Sequence, residues 1–132
     1  MTRSIYCCEC KADVEARLTD GSEIYPHRQD LHSIPFWKCD KCSNFVGCHH
    51  KTKDRTKPLG CIPNQQIKNS RKHIHSILDP IWMNAKKRRQ KRKEVYIKIG
   101  KHLGYEYHTA EIKDIEEARK IYRFIKKEYY FN

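Results

Sequence analysis

Two short cysteine motifs carry the clearest chemistry in the chain, Cys7-Cys8-Glu9-Cys10 and Cys39-Asp40-Lys41-Cys42. Each sets two thiols three positions apart, and a tight turn at that spacing presents them as neighbouring corners of a tetrahedron. Four soft thiolate donors suit a zinc ion, and a site closed by four sulfurs leaves no open position, so one structural Zn2+ on Cys7, Cys10, Cys39 and Cys42 is expected. The 28 residues between Cys10 and Cys39 exceed the separation typical of small zinc sites and suit the two hairpin arms of a zinc ribbon. Three cysteines remain. Cys48, after Phe45-Val46, and Cys61, before Ile62, read as small buried hydrophobes. Cys8 replaces Cys7 only at a cramped spacing, and His49 and His50 are an alternative source of ligand nitrogens.

Positive charge is the second signal. Lys86, Lys87, Arg88, Arg89, Lys91, Arg92 and Lys93 fall within eight positions, and Lys51, Lys53, Arg55 and Lys57 alternate through an earlier segment. The whole chain carries 28 Lys and Arg against 16 Asp and Glu, a net +12. Residues 1–34 hold four basic and six acidic side chains, so the excess belongs to the remainder. Such a field attracts a phosphate backbone or an acidic protein surface. Trp37, Trp82, Tyr96, Tyr105 and Tyr107 are interspersed and offer faces for stacking on unpaired bases, although Trp82 and Tyr96 lie at the helical spacing of core residues.

A third constellation is His49, His75, Asp79 and His108, an alternative site with His75 and Asp79 paired at i, i+4. It keeps open a histidine-dependent nuclease. No carboxylate cluster for magnesium accompanies it, and no catalytic residue is assigned.

The elements that must position these groups follow from pattern. Val14 to Leu18 alternates as a strand, Asp20-Gly21 reads as a hairpin turn with Ile24-Tyr25 opening the return strand, and Pro35–Trp37 and Phe45-Val46 flank the second cysteine pair as strands. Residues 51–63 form a basic connector closed by Cys61-Ile62-Pro63. Beyond Asn64, a candidate N-cap, the period becomes helical: Ile67, Ile74, Ile77, Leu78 and Ile81 share a stripe that Asp79-Pro80 should end or kink. A second helix is expected from about Asn84 to Leu103, stopped by Gly104, with Val95, Ile99 and Leu103 inward and the cation run at its positive end. Tyr105–Tyr107 reads as a short strand. Asp114–Glu117 has capping-box spacing before a third helix on Ile115, Ala118, Ile121, Tyr122, Ile125 and Tyr129. The fold class is therefore α+β: an N-terminal zinc ribbon of short antiparallel strands over 1–50, the connector over 51–63, and a basic region of about three α-helices over 64–132 packed on the ribbon.

At 33% charged and 38% apolar residues, a chain of 132 has a modest core, and a metal staple makes up the shortfall. No stretch nears the length of a membrane span, the N-terminus has no apolar leader segment, and an odd number of cysteines favours metal over disulfides. A soluble protein of the cytoplasm is expected, with no membrane partner and the oligomeric state open.

Cys7-x-x-Cys10, Trp37-x-Cys39-x-x-Cys42, Val46-Gly47-Cys48-His49, Pro58-Leu59-Gly60, and His75 ahead of Asp79-Pro80-Ile81-Trp82 resemble the zinc-finger-containing domain family of phage and bacterial proteins, over about Cys7 to His108. The resemblance implies a zinc ribbon leading into helices and implies no reaction. Cys8 inside the first pair and the heavier cation run at 86–93 depart from the usual pattern. A phage origin, suggested by the resemblance, implies a host-cell cytoplasm and adds a second partner class. The first expectation is a nucleic-acid-binding module (DNA or RNA) directed at backbone or shape. The alternative is an inhibitor or adaptor that docks its basic face on an acidic host protein such as a polymerase, nuclease or defence complex.

Overall fold

The computed structural model describes residues 1–130, so the last two residues of the expected helical region lie outside the described residues. The chain divides into two compact units, Met1–Asn64 and Gln65–Asn132.

The first unit contains four antiparallel strands paired in chain order: β1 (Thr2–Cys7), β2 (Ala12–Asp20), β3 (Pro35–Lys38) and β4 (Phe45–Gly47). Because side chains alternate across a strand, one sheet face collects Ile5, Val14, Ala16, Trp37 and Val46, all buried with Cys48 and Ile62. Ile5 stands opposite Val14, and Trp37 opposite both Leu18 and Val46. Phe36 and Phe45 project the other way and meet Tyr25 edge-on at centroid distances of 5.7–5.8 Å.

Asp20-Gly21 does not make the expected hairpin turn, and Ile24-Tyr25 does not open the return strand. Asp20 instead accepts from the Ser22 N–H at 2.9 Å and caps a single helical turn, α1 (Gly21–Ile24). An aspartate facing the next donors favours an N-cap over a hairpin, and Pro26 has no N–H to give a strand ladder. The chain then passes through a 3-10 turn at Gln29–Leu31 before β3. The connector is also more ordered than a polar loop. The Trp37 indole N–H donates to the Thr56 carbonyl at 2.6 Å, the His49 N–H donates to Lys57, and Cys48 bridges to Pro58. Its end joins the core, where Ile62 bonds Tyr6 and Cys8 through its backbone at 2.8 Å each.

The second unit is helical: α2 (Gln65–Met83), α3 (Arg88–Leu103) and α4 (Ile115–Ile125), the last extended by a π-helical turn at Lys126–Tyr130. Its core takes Ile74, Ile77 and Leu78 from α2, Val95 and Ile99 from α3, Ala118, Ile121 and Ile125 from α4, with Tyr107 and Ile112 between. Arg71 donates to the Ile112 carbonyl through Nε and Nη2, at 3.2 and 2.7 Å, satisfying a backbone acceptor of the link before α4. Asp114 accepts from Glu117 N–H at 2.8 Å as the cap of α4, while the Glu117 carboxylate takes the Lys113 N–H rather than that of the cap residue.

Three expectations are corrected here. Of the end or kink expected at Asp79-Pro80, the end does not occur: α2 runs through Pro80 to Met83. Ile81 packs against the core, and Asp79 accepts from the Trp82 indole at 3.2 Å, so the last turn holds although the proline offers no N–H. The second helix begins at Arg88, not Asn84, because residues 84–87 are turn and bend with no side-chain cap at Lys87. Tyr105–Tyr107 is irregular chain, not a strand. Gly104 closes α3 as expected, in the left-handed region at φ 87°, where an L side chain is disfavoured.

Candidate metal centre and basic surface

The two cysteine turns are near copies of each other. The turn between β1 and β2 carries Cys7 and Cys10, and the turn between β3 and β4 carries Cys39 and Cys42. In each, the residue after the second cysteine is left-handed, Lys11 at φ 56° and Ser43 at φ 67°. Each donates its N–H to the carbonyl of the first cysteine, Lys11 to Cys7 at 2.8 Å and Ser43 to Cys39 at 2.7 Å.

The four Sγ atoms converge, all within 4.8 Å of one another. Cys7 and Cys42 are 3.5 Å apart, and Cys10 and Cys39 are 3.7 Å apart. A tetrahedral zinc with Zn–S bonds of about 2.3 Å has sulfur–sulfur edges of about 3.8 Å, so these residues fit the ion. Burial pushes the Cys7 thiol up to about 12, against the N–H groups of Cys10 and Glu9, which favour the thiolate. Cys10 is raised as well, by desolvation and then by Cys39. At Cys39 desolvation acts in the same direction but is outweighed by the N–H groups of Cys42 and Lys41, and its thiol lies below the usual value. Four thiols this close resist joint ionisation, and a dication among them removes that resistance.

Neighbouring side chains support the site. Asn44 donates through Nδ2 to Cys42 Sγ at 3.1 Å. Asp40, within the second turn, is gripped by Arg17 through Nε and Nη2 at 2.9 Å each, and Arg17 also binds Glu23 of α1. Lys38 reaches Glu23 at 2.7 Å. The arginine holds Asp40 below the usual carboxylate range, and Arg17 followed by Lys38 does so for Glu23. Sequence reasoning missed these supports. The turn-forming pair Ser43-Asn44 was the available signal for Asn44.

Cys8 turns away from the tetrahedron to lie 3.8 Å from Cys61, both buried, and Cys48 is buried in the sheet core, as expected of small apolar side chains. His49 and His50 contribute nothing to the four-sulfur group. Of the histidine set, His49 belongs to the first unit and His75, Asp79 and His108 to the second; among the described residues, the four cysteines are the one group of three or more possible ligands. His75 pairs with Asp79 at 3.2 Å, while His108 pairs separately with Glu106 at 3.2 Å.

Of the seven cations in the run, Lys86 and Lys87 precede α3 and the other five lie on its first turns. All are exposed except half-buried Lys91, and among the described residues none has a carboxylate within ion-pair distance. Arg92 lies over the Tyr96 ring at 4.2 Å. Lys51, Lys53, Arg55 and Lys57 are exposed on the first unit. Of the aromatic residues considered for stacking, Trp37 and Tyr107 are buried, Trp82 and Tyr96 are half-buried, and Tyr105 is 51% exposed.

An antiparallel sheet whose two cysteine turns close one four-sulfur tetrahedron defines a structural zinc-binding domain, here continued by a basic helical unit. The chain belongs to the zinc-finger-containing domain family, whose model matches residues 3–128. Comparison with curated proteins and with solved structures gives no match. No helix among the described residues is long and apolar enough to cross a membrane.

Proposed function

We propose that the protein is a zinc-stabilised nucleic-acid-binding module that contacts the phosphate backbone through the cations from Lys86 to Lys93. The observation that carries this reading is that these side chains, half-buried Lys91 apart, stand exposed to solvent and have no carboxylate within ion-pair distance among the described residues. Arg88, Arg89 and Lys91 load the first turn of α3, at the positive end of its dipole, where charge repulsion is relieved by an external anion. A polyanion with regularly spaced phosphates answers the whole run, whereas single surface ion pairs contribute little. The zinc in this reading is structural and takes part in no reaction.

The test is binding of a labelled oligonucleotide as salt is raised. Replacing Lys86, Lys87, Arg88 and Arg89 by glutamine should lower affinity and flatten the salt dependence. The slope of log K against log salt should fall by roughly 3 if all four meet phosphates. An unchanged slope and affinity would refute the assignment. The alternative, a phage-type adaptor docked on an acidic host protein, predicts instead a one-to-one partner that survives nuclease treatment.

A further inference from the structure

The second unit also holds a groove of about 820 Å³ between α3 and the chain from Gly104 to His108. Arg89, Lys93, Ile97 and Lys101 all line it. They recur every four residues, which places them along one side of the helix over about 18 Å. Gly100 lets the facing segment close in, since a Cβ there would lie 2.9 Å from the Tyr105 carbonyl oxygen. That segment is anchored by Tyr107, which is 3% exposed and shares a 2.7 Å hydrogen bond with Thr109. Two residues earlier, Tyr105 is left half exposed in the groove, its hydroxyl donating to Glu117. Ile97, opposite in kind to its cationic neighbours, is 49% exposed. Glu106, paired with His108, is the one carboxylate among the lining residues.

We propose, resting on the nucleic-acid reading above, that this groove takes single-stranded nucleic acid, with unpaired bases against Tyr105 and Ile97 and the phosphates along Arg89, Lys93 and Lys101. Charge alone does not distinguish a strand from a duplex. The apolar surface does: a duplex keeps its base faces stacked inside and offers this groove only phosphates, whereas a single strand presents both a π-face and a charge at each step. A length of about 18 Å accommodates no more than about five nucleotides at 3.4 Å or more each. Along α3 one exposed apolar side chain, Ile97, stands between the cations Lys93 and Lys101, and Tyr105 is held by its hydroxyl so that the ring is oriented before binding.

The experiment is fluorescence anisotropy of the full chain with labelled 15-nucleotide dT and U strands and a 15-base-pair duplex, at one low salt concentration. Both single strands, or either one, should bind at least tenfold more tightly than the duplex. Tyr105→Leu should weaken strand binding by roughly 5- to 150-fold and leave duplex binding unchanged. Tyr105→Phe, which keeps the ring but loses the hydrogen bond that orients it, should weaken strand binding less than Tyr105→Leu does, and Ile97→Asp, on the exposed side of α3, should weaken strand binding without disturbing the core. Duplex affinity equal to strand affinity would overturn the proposal, as would Tyr105→Leu and Ile97→Asp proteins that bind strands like the native chain. In those cases the salt-dependent loss on neutralising Lys86–Arg89 would still stand, so the broader reading survives. If no oligonucleotide of either form binds, or an acidic protein competes for the same cations instead, both fail.

Discussion

Replacing Asn44 by alanine removes a side-chain amide that donates to a cluster sulfur, at 3.1 Å from Cys42 Sγ. The Asn44 carbonyl, which accepts from Cys39 N–H at 2.8 Å, is backbone and stays. With zinc bound, the acceptor is a thiolate, and hydrogen bonds to charged groups contribute about 1.5–3 kcal/mol. Asn44 is half-buried, which places it at the lower end. A loss of about 1.4 kcal/mol is tenfold in affinity, within the range of roughly 10- to 100-fold for residues that support metal ligands. Asn44→Asp tests the sign. Its carboxylate would face a thiolate at a similar distance, adding a repulsion of about 1.3 kcal/mol even at the dielectric of water. Competition with a chromophoric chelator of known zinc affinity measures both variants. We expect about a tenfold loss for alanine and about a hundredfold loss for aspartate. An alanine protein within twofold of native, or an aspartate protein that binds more tightly than alanine, would refute the reasoning.

Gly104→Ala puts an L side chain at φ 87° in open space, so its cost is backbone conformation alone, about 1 kcal/mol. Thermal unfolding should show a Tm lower by a few degrees, and an unchanged or higher value would contradict the left-handed cap. Arg17→Met removes the grip on Asp40 and Glu23, whose folded-state carboxyls lie below their ordinary values of 3.8 and 4.5. Groups lowered in this way stabilise the fold fully above those ordinary values, and the contribution is lost as pH falls through the folded ones. With zinc in excess, the Tm gap between native and Arg17→Met proteins should therefore narrow as pH drops from about 6 towards the lowest pH at which the sheet still holds its metal, and a gap that widens would show the sign to be wrong.

The metal set was legible because it depends on residue type and local spacing: Cys7, Cys10, Cys39 and Cys42 meet as their pairing implied. The helical stripes were legible for the same reason, with Ile74, Val95, Ile99 and Ile121 all buried. The misreadings came where a side-chain contact that the residue pattern does not display outweighed a composition preference. Asp20-Gly21 has the composition of a hairpin turn, yet the Ser22 donor makes it a helix cap, and the return strand waits until Pro35. Pro80 is a local helix breaker, but the core contact of Ile81 and the Asp79–Trp82 hydrogen bond carry α2 one turn farther. The exposed position of Tyr105 beside buried Tyr107 was illegible for a different reason. Two tyrosines two residues apart differ only in which side of an irregular segment meets the helix, and the bare Cα of Gly100 is part of what lets that segment approach.

Native mass spectrometry of the protein purified without added metal tests the zinc assignment most directly. We expect a single zinc per chain, lost together with the ordered sheet signal when a strong chelator is added, and absent or severalfold depleted in Cys39→Ser and Cys42→Ser proteins but retained in Cys8→Ser. A chain that holds its sheet with no metal bound, or that keeps its zinc when Cys39 and Cys42 are both replaced, would contradict it.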